Sequence, residues 1–274
     1  MRTKPILALA ACLALTFCAS SQQKLTRSRE KDPRYQYNLG LFYLNGNDLE
    51  AAVRYLDKCI VLSPRYFPAW NALGLARSMQ GKLQESAEAY RKCLEINPRF
   101  TEARNNLGTI YQEMNFPEKA ETEFKAALDD ADYPSRELPC YNLARLYFTM
   151  NRLDEALEYA QKCGRIKAHF GMAYNLKGLI LEKKGDLDGA VDAYDQAVKT
   201  IPGEPNFNFN LAVACFKTGS LEKAKEIFER ILPQIKDEPT KAKIKEYLDL
   251  IDKKKSGTQA ADQVPSFQSS RYFF

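Results

Sequence analysis

Residues 70–98 read WNALGLARSMQGKLQESAEAYRKCLEINP, with two apolar stripes on either side of a short polar turn. Before the turn, Trp70, Leu73 and Gly74 follow the i, i+3, i+4 spacing of one helix face. After the turn QGKL, a second apolar stripe runs through Tyr90, and Pro98 then interrupts the helical pattern. The stretch therefore predicts two short helices that pack against each other as a hairpin.

The same hairpin pattern returns along most of the chain. A small residue in the first helix recurs every 34 residues in two sets of three, and two extra residues separate the sets near DADYPSRE at 130–137. These small residues are Gly40, Gly74, Gly108, Ala144, Gly178 and Ala212. They define units at 33–66, 67–100, 101–134, 137–170, 171–204 and 205–238. Because one hairpin cannot bury both of its faces, we expect the units to stack on one another.

The pattern resembles the tetratricopeptide repeat (TPR) family, most fully in the second, third and fifth units. The matching residues are Trp70, Leu73, Gly74, Tyr90, Pro98, Leu107, Gly108, Tyr111, Ala120, Phe124, Ala127, Gly178, Gly185, Ala190, Tyr194, Ala197 and Pro202. The resemblance implies an all-α fold, a right-handed TPR superhelix (α-solenoid) of six helical hairpins. At 239–252, Ile244, Leu248 and Ile251 predict one apolar stripe of a C-terminal capping helix. Residues 253–274 are expected to be a disordered tail.

The N-terminus predicts export. Residues 1–18 combine a short basic region with an apolar core too short to span a bilayer comfortably. The sequence around Cys18 resembles a bacterial lipoprotein signal, which implies lipidation of Cys18, with Cys12 as the alternative. Ordinary cleavage near Ser21 and an uncleaved anchor also remain open. Because Ala19 follows Cys18, the resemblance implies the periplasmic face of the outer membrane, with residues 19–32 as a flexible linker.

Composition argues against catalysis and nucleic-acid binding. The net charge of +5 includes Arg2 and Lys4, so the chain without its leader carries only +3. His169 is the only histidine, and no glycine-rich phosphate loop follows a strand pattern. We therefore predict a protein that is not an enzyme and holds no cofactor or metal. Cys59 and Cys93 are expected to fill core positions and to lie too far apart for a disulfide.

The TPR resemblance also implies a groove lined by the first helix of each hairpin, at roughly positions 2, 5, 6, 9, 12 and 13 of the unit. Asparagines occupy two of these positions: position 6 in Asn38, Asn106, Asn142 and Asn210, and position 5 in Asn71, Asn105 and Asn175. A primary amide both donates and accepts hydrogen bonds, so this series predicts binding to the backbone of an extended peptide.

The amide series resembles the asparagine ladder in the TPR superhelix of O-GlcNAc transferase, although Ala72 and Leu176 interrupt it. The alternative is that the amides bond only within the interfaces between helices. The predicted partner-binding groove also includes Tyr37, Tyr141, Arg145 and Phe209. Aromatic residues at these positions suit a groove for a peptide or a partner helix, and they suit a core between repeats equally well.

The whole chain resembles the PilW/PilF/Tgl family of type IV pilus biogenesis lipoproteins, most specifically in FKAALDDADYPSRELPCYNLA at 124–144. That resemblance implies a lipid-anchored scaffold that binds a secretin subunit. Two alternatives are a generic periplasmic TPR scaffold for outer-membrane or cell-wall assembly and a regulatory TPR subunit of a separate enzyme. The final RYFF, Arg271–Phe274, could be a docking peptide.

Overall fold

The structure is a computed structural model that describes residues 28–256. Within this range the regular structure is entirely helical, and consecutive helices pair into six hairpins followed by one further helix. The all-α hairpin fold expected from the repeat is confirmed. Between residues 28 and 256, no helix is both long enough and apolar enough to cross a membrane. The predicted export signal with Cys12 and Cys18, and the tail at 271–274, lie outside the described residues.

The helices alternate between the two arms of the hairpins. The first arms are α1 Pro33–Asn45, α3 Phe67–Met79, α5 Thr101–Glu113, α7 Glu137–Thr149, α9 Gly171–Lys183 and α11 Pro205–Lys217. The second arms are α2 Leu49–Leu62, α4 Leu83–Ile96, α6 Pro117–Leu128, α8 Leu153–Ile166, α10 Leu187–Thr200 and α12 Leu221–Ile231. After α12 come a short 3-10 helix, Leu232–Gln234, and then α13, Glu238–Lys255.

Every hairpin turns at a residue with a positive φ angle, between 58° and 86°. These residues are Asn47, Gly81, Asn115, Asn151, Gly185 and Gly219, which all stand at position 15 of their unit. Left-handed backbone is costly for residues with a Cβ, and asparagine and glycine tolerate it best. The turn chemistry is therefore encoded locally in each unit.

The small residue of the repeat allows the two arms to approach closely. A Cβ added to Gly74 would lie 2.8 Å from the ring of Tyr90, and one added to Gly178 would lie 2.4 Å from the ring of Tyr194. Both tyrosines are buried. The recurring glycine in the first arm is thus explained by a large side chain of the second arm that packs directly on its backbone.

The chain divides into two compact lobes, an N-terminal lobe that ends at Ala127 and a C-terminal lobe that begins at Leu128. In the C-terminal lobe, α13 buries Ile244, Tyr247 and Ile251 against the last hairpin. The ring of Tyr247 stacks on Phe228 with centroids 5.1 Å apart. The predicted stripe had Leu248 in place of Tyr247, but Leu248 is only partly buried. The helix also continues through Lys255, three residues beyond the predicted end.

Candidate functional site

The groove residues predicted on α1 differ in exposure. Asn38 is exposed to solvent, whereas Tyr37 is half-buried. The ring of Tyr37 meets the ring of Tyr66 edge-on, with centroids 5.3 Å apart. Burial raises the pKa of Tyr37, and the neighbouring Tyr66 and Glu102 raise it further. Asn38 therefore offers an amide to solvent, while Tyr37 forms part of the contact between the first and second hairpins.

Asn71 on α3 links the second hairpin to the third. Its Nδ2 donates to Oε1 of Glu102 on α5 at 3.0 Å. Its Oδ1 is buried and has no hydrogen-bond partner among the described residues. A buried acceptor without a partner costs about 1–3 kcal/mol. Asn71 thus combines a bond between hairpins with an unused acceptor beside the predicted groove.

The adjacent amides Asn105 and Asn106 on α5 have different surroundings. Asn105 is buried, with 6% of its surface exposed, whereas Asn106 is half-buried. The side chain of Asn106 hydrogen bonds to the hydroxyl of Tyr90 on α4. Burial raises the pKa of Tyr90, and the bond to Asn106 opposes this rise. Asn106 is consequently tied to the preceding hairpin through a core tyrosine.

In the C-terminal lobe, two predicted groove amides bond to each other. Nδ2 of Asn210 on α11 donates to Oδ1 of Asn175 on α9 at 2.8 Å. Their exposed fractions are 8% and 6%. This amide pair joins the fifth hairpin to the sixth at a buried position. Its geometry matches the alternative in which the amides bond within the interface between helices.

The aromatic residues predicted for the groove in the C-terminal lobe are largely buried. Tyr141 is 7% exposed, and its ring meets that of Phe170 edge-on at 5.6 Å. Burial raises the pKa of Tyr141, and the charge of Arg145 partly offsets this rise. Phe209 is 4% exposed and packs edge-on against Phe228 at 5.9 Å, so its ring belongs to the core.

The remaining candidates on α7, Asn142 and Arg145, are half-buried, one turn apart. Together with the exposed Asn38 and the half-buried Asn71 and Asn106, they form the more accessible part of the predicted groove set. The structure thus divides the predicted set into a buried group between hairpins and a more accessible group.

Exposed apolar side chains accompany the accessible amides, and the sequence interpretation missed them. Leu75 and Met79 on α3 lie one helical turn apart and are 42% and 48% exposed. In the C-terminal lobe, Leu138 and Met172 are each 39% exposed. All four stand at groove positions 2, 9 or 13 of their units, so a tally of apolar residues at those positions would have found them. Apolar side chains that remain exposed in the folded protein are candidates for contact with a partner.

The C-terminal lobe also carries cationic side chains at the carboxyl ends of α9 and α11. Nζ of Lys183 lies 5.0 Å above the ring of Phe148. Lys217 forms an ion pair with Glu182, which also accepts a hydrogen bond from Oη of Tyr194 at 3.0 Å. Within residues 28–256, no cluster of three or more histidine, cysteine or acidic residues is placed to hold a metal ion.

Family models described as tetratricopeptide repeat match residues 33–66, 67–100, 141–205 and 181–244. The chain belongs to the tetratricopeptide repeat family. Among curated relatives, the TPR repeat-containing protein MJ1428 of Methanocaldococcus jannaschii is 38% identical over 78 residues, 28% of this chain. Protein FlbA of Caulobacter vibrioides is 28% identical over 160 residues, 57% of this chain. The matched segments make up only 14% and 26% of those two proteins.

Solved TPR structures match over more of their length. PilF of Pseudomonas aeruginosa has a TM-score of 0.66 at 22% identity, over 74% of this chain and 92% of PilF. PilW, a type IV pilus biogenesis factor, has a TM-score of 0.66 at 18% identity, over 73% of this chain and 91% of PilW. YrrB, described as a TPR protein with an unusual peptide-binding site, has a TM-score of 0.52 at 18% identity, over 66% of this chain and 93% of YrrB. These likenesses establish the fold.

Proposed function

We propose that this protein is a non-enzymatic scaffold of the bacterial envelope that binds a segment of another protein and assists type IV pilus biogenesis. The observation that carries the proposal is the extent of the likeness to PilF and PilW, which includes 92% and 91% of those chains. The matches to MJ1428 and FlbA cover only small parts of longer proteins. PilW is a type IV pilus biogenesis factor, and we extend that role to this chain.

The binding surface that we propose in the N-terminal lobe combines apolar and amide groups. Leu75 and Met79 would receive apolar side chains of an extended segment or a partner helix. The amides of Asn38 and Asn106 are accessible enough to bond to its backbone. The peptide-binding site named for YrrB supports this use of the fold.

In the C-terminal lobe the proposed contact residues are Asn142 and Arg145, together with the exposed Leu138 and Met172. The buried pair of Asn175 and Asn210, at 2.8 Å, has a supporting role in this proposal, since it holds neighbouring first arms together. Tyr141 and Phe209 would also contribute through packing.

The proposed partner is a secretin subunit, and the proposed location is the periplasmic face of the outer membrane. Lipid attached at Cys18, with Cys12 as the alternative, would hold the repeat domain at the membrane. Anchoring raises the effective concentration of a bound subunit near the site of assembly without any new contact. The chain itself would supply binding and orientation, with no catalytic step.

A genetic experiment tests the biological role. We expect deletion of the gene to abolish heat-stable secretin multimers in the outer-membrane fraction, and Cys18→Ala to leave secretin monomers in the inner membrane. Re-expression of the intact chain should restore the multimers. Unchanged multimers after complete deletion would disprove the pilus role. If the wall or barrel proteins failed instead, the chain would be a general envelope scaffold.

A second experiment tests the surface by itself. Leu75→Lys should weaken capture of a purified secretin subunit by about tenfold, the loss typical of a substituted contact residue. Val61→Lys is the matched control, because Val61 is 79% exposed on the second arm of the first hairpin. The control should bind normally. Equal binding by both variants would remove the α3 surface from the proposal.

A further inference from the structure

Two thiols of the fourth hairpin lie side by side. Cys140 is near the start of α7, Cys163 is near the end of α8, and neither is exposed. Sγ of Cys140 donates to the carbonyl oxygen of Tyr159 at 3.3 Å. Sγ of Cys163 donates to the carbonyl oxygen of Glu137 at 3.4 Å.

These two hydrogen bonds cross between the helices. Tyr159 is one turn before Cys163 on α8, and Glu137 is one turn before Cys140 on α7. Each sulfur therefore reaches the helical turn that carries the other sulfur. The two thiols also interact with each other, since each alters the pKa of the other. Side chains that each reach the turn carrying the other are candidates for a disulfide, which needs Cα atoms within about 7 Å of each other.

The pair is specific to one unit of the repeat. Cys59 and Cys93 occupy position 27, as Cys163 does, but position 4 of their own hairpins is Gln36 and Trp70. Only the fourth unit has cysteine at both positions. The five cysteines in the described part of the chain are free thiols in this structure, which is thus the reduced form.

The surroundings of the pair favour reaction at Cys140. The neighbouring Cys163 thiol lowers the pKa of Cys140, burial opposes this, and the cations Lys162 and Arg165 lower the pKa further. By contrast, burial raises the pKa of Cys93 to about 12. The thiolate is the nucleophile in disulfide exchange, and the lowered pKa makes Cys140 the candidate for the first attack.

We propose that Cys140 and Cys163 form a disulfide within the fourth hairpin by exchange with an external disulfide. The thiolate of Cys140 attacks one sulfur of the oxidant and expels its first thiolate, which leaves a mixed disulfide. Cys163 then loses its proton, attacks Sγ of Cys140 and expels the second thiolate. The protein loses two protons and two electrons, and the external disulfide is reduced to two thiols.

The bond would connect the first turn of α7 to the last turns of α8. Asn142 and Arg145 follow Cys140 on α7, so the disulfide would restrain the helix that carries these candidate contact residues. The inference rests on the hairpin itself and holds whether or not the proposed pilus role is correct.

The test uses the full chain, purified reduced and then incubated with oxidised glutathione, both folded and during refolding from urea. After denaturation and alkylation with iodoacetamide, peptide mapping should find residues 140 and 163 joined, with Cys59, Cys93 and Cys215 alkylated. If Cys140 and Cys163 are alkylated in both arms, or if a glutathione adduct persists at Cys140, the proposal is wrong.

Two variants complete the test. Cys163→Ala removes the second nucleophile, so Cys140 should keep its glutathione adduct or be alkylated. Cys93→Ala changes the same repeat position in another hairpin and should leave the linkage of residues 140 and 163 intact. The bond between residues 140 and 163 should therefore form in Cys93→Ala as it does in the intact chain, and its absence from both of these chains would disprove the proposal.

Discussion

Replacing Asn210 by alanine tests whether the recurring amides hold the hairpins together. The side chain of Asn210 donates to Oδ1 of Asn175 at 2.8 Å, and both residues are buried. The substitution would leave that acceptor buried without its donor, which costs about 1–3 kcal/mol. We therefore expect the free energy of unfolding to fall by about 2 kcal/mol, because both side chains are buried away from solvent.

Asn38→Ala is the matched control, since Asn38 stands at the same repeat position and is exposed. Substitution there should change the free energy of unfolding by less than about 0.5 kcal/mol. Urea unfolding followed by far-ultraviolet circular dichroism measures both variants. Thermal unfolding should show a Tm about 4–8 °C lower for Asn210→Ala.

A double-mutant cycle separates the hydrogen bond from general packing. Asn175→Ala, Asn210→Ala and the double variant should give a coupling free energy of about 1 kcal/mol, within the range found for residues in contact. Zero coupling, or an Asn210→Ala variant as stable as Asn38→Ala, would refute a structural role for this pair. In the same series, Asn38→Ala should weaken partner capture although it leaves the fold unchanged.

Three further predictions concern packing, charge and covalent linkage. Gly178→Ala should destabilise the fold by about 1–3 kcal/mol, because the added Cβ would lie 2.4 Å from the buried ring of Tyr194, whereas Gly164→Ala, with its nearest neighbour at 3.5 Å, should gain up to about 1 kcal/mol; urea unfolding measures both. Asp195 pairs with a lysine at 2.7 Å whose hydrogen bond lowers its pKa. The stability lost in Asp195→Asn, under about 1 kcal/mol, should therefore be seen above the ordinary carboxyl pKa and disappear as the pH falls through the lowered one; denaturation at pH 7 and at about pH 2 checks this, and an unchanged difference would contradict it. Oxidation that closes the 24-residue loop from 140 to 163 should raise the free energy of unfolding by roughly 3 kcal/mol, a gain that calorimetry should find reversed by reductant.

Helix positions and turns followed from short stretches of sequence because their causes are local. Asparagine or glycine at Asn47 and Gly81 meets the need for a left-handed residue in the turn, and Pro64 and Pro98 separate successive units. The glycine at position 8 likewise follows from the large residue at position 24 of the same hairpin. These requirements act within one unit, so a repeat of 34 residues displays them several times.

The exposure of each candidate residue depended on partners in other hairpins. Asn71 and Asn175 stand at the same repeat position, yet one bonds to Glu102 and the other to Asn210, which are 31 and 35 residues away. If Asn105 only lined a groove, as the sequence predicts, its replacement by alanine would leave the melting temperature almost unchanged. The structure buries Asn105, so we now expect that substitution to cost stability.

The chain's own residues were sufficient to predict helical hairpins, their turns and their family, since periodicity, turn chemistry and small-residue packing operate over a few residues. Only the tertiary structure decided that Phe209 is buried, that Leu75 and Met79 are exposed and that Cys140 meets Cys163. Each of these outcomes depends on where a neighbouring helix comes to lie. A repeat period places equivalent residues on the same helix face, and the side chains that face them across the interface then determine whether they are buried or accessible.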